Sequence, residues 1–309
     1  MKKEKRSKWH KAIKIIIILA ILSFIVSWFF SLFMEKDFNS KRGNVALIPI
    51  KGVIMSERGS VFGQQLAASP AIVKFIEQAD KNPKIKAIIL EINSPGGSPV
   101  ATEEIANAIK RTNKTKIAWI REIGTSGAYW IASGCDKIVA NRMSFTGSIG
   151  VLASYLEFSG LLRDYNVTYE RLVAGKYKDI GSPFKELNIQ EKQMLQKQLD
   201  TLQGYFISTV AENRNLSEEK VRELATGMFY LGQEAKDLGL VDIIGGKEEA
   251  KQIIEQELNI TAELVEYKQE RTLIDLLSEV FSQQSFFVGK GIGSSILDAR
   301  NYNRVEVWT

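Results

Sequence analysis

Histidine is all but missing from this chain. Of 309 residues one is histidine, His10, and it lies ahead of a long apolar run. A Ser-His-Asp triad, a Cys-His protease site and any histidine-bearing zinc site are therefore excluded from the body of the protein. Cysteine is equally scarce. Cys135 stands alone, which rules out an internal disulfide and a multi-cysteine metal site. It reads as a small buried apolar residue rather than a reactive thiol. No repeat, low-complexity tract or GxxxxGKS/T loop occurs, so nothing points to a nucleotide-driven motor. Neither a metal nor a cofactor is expected.

An excess of positive charge is also missing where it would matter for nucleic acid. The net charge of +5 is concentrated at the start: residues 1–33 hold seven Lys/Arg against Glu4 alone. Removing them leaves 34 basic and 35 acidic residues over 34–309, a nearly neutral body with no nucleic-acid footprint.

What is present begins with IIIILAILSFIVSWFFSLF, uncharged from Ile15 to Phe33. At ~1.5 Å per residue this run matches the hydrocarbon core of a bilayer. Lysines precede it and Trp28 lies toward its far end. The positive-inside rule then places a basic tail, 1–14, in the cytoplasm and the rest of the chain outside. A cleaved signal peptide is the rival reading, but the exit SLFMEKDFNS lacks an A-x-A-like site. The expectation is a single-pass transmembrane helix over 15–34, a polar linker over 35–44, and a domain beyond it on the outer face of the cell membrane.

The next elements alternate. VALIPI (45–50), GVIM (52–55), KAIILEI (86–92), KIAWI (116–120) and KIVA (137–140) read as strands, and VTYERLV (167–173) as another. Helical spacing fits 70–81, 100–111, a short helix ending at Ser133, a stretch ending near Tyr165, 188–213, 217–225 and 249–258. AELVEY (262–267) closes the series, and a further helix is expected over 272–283. Strand-helix alternation predicts an α/β fold with parallel pairing, its site at the strand C-termini.

Three stretches carry chemistry. In GTSGAYW, Ser126 sits at a strand-to-helix corner between glycines. It can be a nucleophile, with the Gly127 N–H beside it for an oxyanion, or an ordinary helix N-cap. NSPGGS (93–98) can aim backbone N–H groups at a developing anion, form a plain turn, or bind phosphate. With histidine absent, the base for a serine must be lysine, whose pKa has to fall from about 10.4 to about 7–8 to serve at neutral pH. AGKYKDIGSPF (174–184) sets its lysines among Tyr177, Ile180, Pro183 and Phe184. Spacing does not separate Lys176 from Lys178.

GTSGAYWIASGCDKIVANRMSFTGSIGV, with NSPGGS upstream and GKYKDIGSP and GQEAKDLGLVD downstream, resembles the signal peptide peptidase A family, the S49 type of membrane-anchored serine protease. The likeness covers about 45–267, which makes that stretch the protease domain and leaves 268–309 as an extension of open role. It implies the Clp protease/crotonase-like fold of repeated β-β-α units and a Ser-Lys dyad. By position, Ser126 matches the nucleophile, Lys178 the base, and Ser148 the serine that hydrogen-bonds the lysine amine. Gly96, Gly97 and Gly127 match the oxyanion region. Ala128 departs from members that carry a second glycine there. The resemblance implies peptide substrates such as released signal peptides, residence at the lipid bilayer, and a homo-oligomeric ring. Two rival functions remain: a crotonase-type enzyme acting on acyl-CoA, and a non-catalytic membrane scaffold of the same fold.

Overall fold

β1 (Val45–Lys51) lies between two parallel neighbours, β6 (Ala87–Ser94) and β12 (Leu264–Glu266). Its residues alternate between two cores, as the period of a strand requires. Ala46, Ile48 and Ile50 face one way with Ile88, Leu90 and Ile92 of β6; Val45 and Leu47 face the other way with Ala87 and Ile89. Both faces are buried, which is why these strands read as unbroken apolar runs. The computed structural model describes residues 14, 16–25, 27, 43–57, 60–61 and 64–268.

Among the described residues the sheet has eight strands. Its path runs β10-β9-β7-β6-β1-β12, with β8 on β7 and β11 on β8. Here β7 is Thr115–Thr125, β8 Lys137–Ala140, β9 Phe145–Gly147, β10 Phe229–Leu231 and β11 Ile243–Ile244. All pairings are parallel except β9 with β10. Short pairs stand apart from it: β2 (Ile54–Met55) with β5 (Ala67–Ala68), and β3 (Ser60–Val61) with β4 (Gln64–Gln65).

Helices α1 (Ser69–Lys81), α2 (Pro99–Arg111) and α3 (Gly127–Ser133) cover one face through Ile72, Ile76, Ile105, Ile109 and Ile131. Pro70 and Pro99 open the first two, where a missing N–H costs nothing. The opposite face takes Ala250 and Ile254 of α8 (Lys247–Leu258). Each fully buried Ile or Leu contributes about 1.5–3 kcal/mol. A one-residue slip of β1 would exchange the two cores, so the register is strongly specified. The mixed α/β architecture with a parallel sheet fits the expected Clp protease/crotonase-like fold.

β7 is longer than the expected strand at 116–120. It pairs β8 through Ile117–Ile120 and then β9 through Ile123–Thr125 on the same edge, and so reaches the Ser126 corner as an ordered strand. One expectation fails and another holds in part. Residues 167–173 form no strand, because no neighbour offers a ladder and most of their side chains are exposed. The helix ending near Tyr165 is confined to α4 (Ser159–Asp164), and 151–157 is irregular. The expected helices of 188–213 and 217–225 appear as α5 (Ile189–Arg214) and α6 (Glu218–Leu224), followed by α7 (Gly232–Asp237).

The start of β1 is fastened on both sides. Asn44 N–H donates to the Glu263 carbonyl (2.9 Å), its Oδ1 accepts from Glu263 N–H (2.9 Å), and its carbonyl accepts from Lys86 N–H (2.7 Å). Within the apolar run at 15–33, positions 16–25 and 27 are helical with exposed side chains. Among the described residues no helix is long and apolar enough to cross a membrane, and the rest of that run lies outside them. The chain divides into units 1–267 and 268–309; the helix expected over 272–283 falls outside the described residues.

Candidate active site

Ser126 follows the last residue of β7, Thr125, and has φ 54° and ψ −127°. A non-glycine residue seldom adopts that conformation, and it costs on the order of 1–3 kcal/mol, so the surroundings must enforce it. They do. Ser126 N–H donates to the Gly147 carbonyl of β9 (2.8 Å), and Trp130 N–H donates back to the Ser126 carbonyl (3.0 Å). The N-cap reading does not survive: a capping serine is extended and accepts a bond from the first turn. Ser126 is neither extended nor capping. Its hydroxyl has no partner among the described residues and is half-buried. As the first residue of α3, Gly127 has an N–H with no intrahelical acceptor.

NSPGGS packs directly against this corner. Gly96 has φ 95°, and a Cβ there would lie 2.8 Å from Gly127 N and 2.9 Å from the Ser126 Cβ. At Gly97 a Cβ would lie 2.0 Å from the Ile54 carbonyl oxygen. β2 clamps the loop: Ile54 N–H donates to the Gly96 carbonyl, and Ser98 N–H donates to the Ile54 carbonyl, both at 2.8 Å. Gly96 N–H is committed to the buried Ser94 Oγ (3.1 Å). Of the two glycines, only Gly97 therefore keeps an N–H without a partner among the described residues.

Ser148 follows Gly147, which pairs with Thr125, so it flanks the same corner. It too is left-handed, at φ 49°, held by its N–H to the Met228 carbonyl (2.9 Å). Its Oγ donates to the Gly227 carbonyl (2.9 Å). With its one proton committed, that hydroxyl can serve an incoming group only as an acceptor.

Gly96, Gly97, Ser126, Gly127 and Ser148 thus converge. Lys178 does not join them. It lies in an irregular turn after Gly175, and its amine is exposed with no partner among the described residues. The apolar setting expected around it is absent within one chain. Lys176, by contrast, is engaged: Nζ donates to Gln190 Oε1 (3.2 Å) and lies 4.9 Å from the Tyr177 ring centroid. Much of 151–189 is exposed, with Leu172 at 96% and Leu152 at 83%, and Leu156, Tyr165 and Ile189 also open.

Two contributors escaped the sequence reading. Ile54 reaches the site only through pairing. Thr102 of α2 stands beside Gly127 with its Oγ1 buried and unpartnered among the described residues. No periodicity or spacing marks either one. Cys135 is buried, and burial drives its thiol pKa well up, so the group stays protonated and inert.

Comparison with known proteins adds an independent line. The model of peptidase family S49 matches residues 108–261. A putative protease of Methanocaldococcus jannaschii is 34% identical over 253 residues, 80% of each chain. A putative signal peptide peptidase SppA of Enterococcus faecium is 32% identical over 244 residues, covering 77% of this chain and 70% of that one. The chloroplastic serine protease SPPA of Arabidopsis thaliana is 31% identical over 266 residues, 83% of this chain but 37% of its own greater length.

Proposed function

Because the chain belongs to peptidase family S49, the signal peptide peptidase A family, and is a serine-type peptidase, we propose that it cuts peptide bonds with a Ser126–Lys178 dyad. The observation that carries this is the Ser126 hydroxyl on a strained corner beside Gly127 and the Gly96–Gly97 loop, where the hydroxyl and the N–H groups of Gly127 and Gly97 have no partner among the described residues. Ser126 Oγ attacks the scissile carbonyl while the neutral Lys178 amine takes its proton. The carbonyl oxygen, now an anion, is held by the two N–H groups. Collapse expels the leaving amine, which receives the proton from Lys178, and an acyl-Ser126 ester remains. Water, deprotonated by the same amine, then releases the acid and restores the serine. Ser148 Oγ, limited to accepting, takes one N–H of the amine and so aims its lone pair at Ser126. Lys178 is favoured over Lys176 because, among the described residues, its amine alone of the two is unengaged.

The base comes from a neighbouring copy in this reading. Asp179 is tied through Lys185 to Glu191 at the start of α5. That point is about 22 Å along the helix from Phe206, which stacks on Trp130 beside the Ser126 corner. The bare apolar side chains of 151–189 support the same assembly, since exposed surface of this kind marks an interface. A neighbour seated there also buries the Lys178 amine, which a neutral base requires. The run at 15–33 tethers the domain as a single-pass anchor on the outer side of the cell membrane, next to substrates that themselves partition into lipid. Released signal peptides and similar hydrophobic peptides are the substrate class.

Ser126→Ala and Lys178→Ala should each abolish cleavage of a hydrophobic fluorogenic peptide, while Lys176→Ala keeps most activity. Co-expressing the two dead variants should restore roughly a quarter of the sites in a symmetric assembly, those pairing an intact serine with a neighbour's intact lysine. Wild-type turnover by Ser126→Ala overturns the dyad; no recovery on co-expression overturns the shared site.

A further inference from the structure

The residue after Lys178 is an aspartate, and it is built into a closed set of charges. Arg171 grips both oxygens of Asp179, Nε on Oδ2 and Nη2 on Oδ1 at 2.9 Å. Lys185 Nζ lies 3.2 Å from Asp179 Oδ1 and 2.7 Å from Glu191 Oε1. Glu191 is buried. Its Oε2 accepts from Asn188 N–H (3.0 Å) while Asn188 Oδ1 accepts from Glu191 N–H (2.9 Å), the capping box of α5. The Arg171 hydrogen bonds, with Lys185 adding to them against the cost of desolvation, hold the Asp179 carboxyl far below the ordinary carboxylate range. Arg171, Lys185, Asp179 and Glu191 sum to zero charge. Other charged or titratable groups near the set include Lys176, on the Tyr177 ring and Gln190, the Tyr169 phenol near Arg171, Glu170 and Lys178 next to Arg171 and Asp179 in the chain, and Glu186 next to Lys185, which pairs with Arg163 at 3.8 Å.

This arrangement poses an electrostatic question. An unrestrained carboxylate on the residue next to a lysine can swing to within 4–6 Å of the amine and favours its charged form. A base that must be neutral cannot keep such a neighbour free. Resting on the reading of Lys178 as the base, we propose that Arg171 and Lys185 are positioning residues that sequester Asp179, so that the amine of Lys178 has no counter-ion of its own. They touch neither substrate nor nucleophile; they act through Asp179.

The test is the pH dependence of kcat/KM for the full-length chain on a hydrophobic peptide. Arg171→Met turns the set into a net anion, releases Asp179 and should move the acid limb up by about one pH unit. That is roughly a tenfold loss below the limb, with the plateau nearly kept. Asp179→Asn leaves two cations and one anion, so it should move the limb down. Lys185→Met removes the other cation and should repeat the upward shift, which covers the case in which Arg171→Met does not fold. Opposite displacements support the proposal. Losses by the same factor at every pH in all three variants, with the limb unmoved, mean that the set merely braces the loop, and overturn it. Lys178→Ala keeps the two failures apart: if it is as active as wild type, the dyad itself is wrong. If it is dead while the limbs stay fixed, only the role of Asp179 falls.

Discussion

Gly127 and Thr102 offer a quantitative test of how the corner is packed. A Cβ on Gly127 would lie 2.3 Å from Thr102 Oγ1, with Cγ2 at 3.2 Å and Cβ at 3.3 Å. The helical backbone at 127 tolerates alanine, so the penalty of Gly127→Ala is steric, about 1–3 kcal/mol for forced overpacking. Thr102 Oγ1 is itself buried without a partner among the described residues, a state that costs on the order of 1–3 kcal/mol. Thr102→Val, the same shape without the hydroxyl, should therefore stabilise the protein by about 1 kcal/mol, raising Tm by roughly 2–4 °C for a domain of this size. Thr102→Ala removes the two closest atoms, and the 3.3 Å contact that remains is tight but tolerable. In that background Gly127→Ala should lose most of its penalty, a coupling of about 1–3 kcal/mol. Because alanine keeps the N–H at 127, labelling by a serine-reactive phosphonate should return along with stability. Thermal unfolding of the four proteins of the cycle, with labelling rates, measures both. Additive penalties, or a Thr102→Val protein less stable than wild type, would refute the packing argument.

Strain at Ser126 predicts that Ser126→Gly is inactive yet more stable than Ser126→Ala by about 1–3 kcal/mol, since only glycine adopts φ 54°, ψ −127° freely. Equal melting temperatures would remove the strain from the account. The Arg214–Asp242 pair (2.9 Å) also receives Ile138 N–H on Asp242 (2.7 Å). Burial alone would raise the Asp242 pKa, but the bonds from Arg214 and Ile138 outweigh it and the pKa is lowered. A carboxyl depressed on folding contributes stability above its unfolded pKa, near 3.9, and loses it as pH falls through the folded value. Asp242→Asn should thus cost about 3 kcal/mol at pH 7, leaving the buried Arg214 without its counter-ion though still bonded to the Gly239 carbonyl, and less at pH 3. Urea unfolding at the two pH values decides; a gap that stays constant contradicts the linkage.

The parts of the fold that read well from sequence were those whose signal is local. β6 and β7 carry apolar runs because both faces are buried, and α1 and α2 carry a periodic face with proline at the start. β9 and β10 are three residues long and exist only through their partners, so no window of sequence contains them. VTYERLV has strand propensity but no ladder, and propensity without a partner makes no strand. At the site, glycines on either side of Ser126 advertised the corner, while its left-handed conformation was unreadable. Lys176 and Lys178 look alike in sequence; engagement of one amine by Gln190 and Tyr177 tells them apart. Nothing in the sequence marks Arg171, Asp179 and Lys185 as a set, because their mutual contacts depend on how a loop closes.

The fastening of Asn44 has a mechanical consequence. Ile54, which clamps the NSPGGS loop, follows the end of β1 by three residues, so β1 is the line along which any pull from the N-terminal side would travel. Such a pull meets Asn44 first, stapled to Glu263 and Lys86, and then loads β1 along its own axis. Force in that direction must shear the ladders with β6 and β12 together rather than peel their bonds one by one. The strand works as a strain relief between whatever tugs at residue 43 and the loop packed against Ser126.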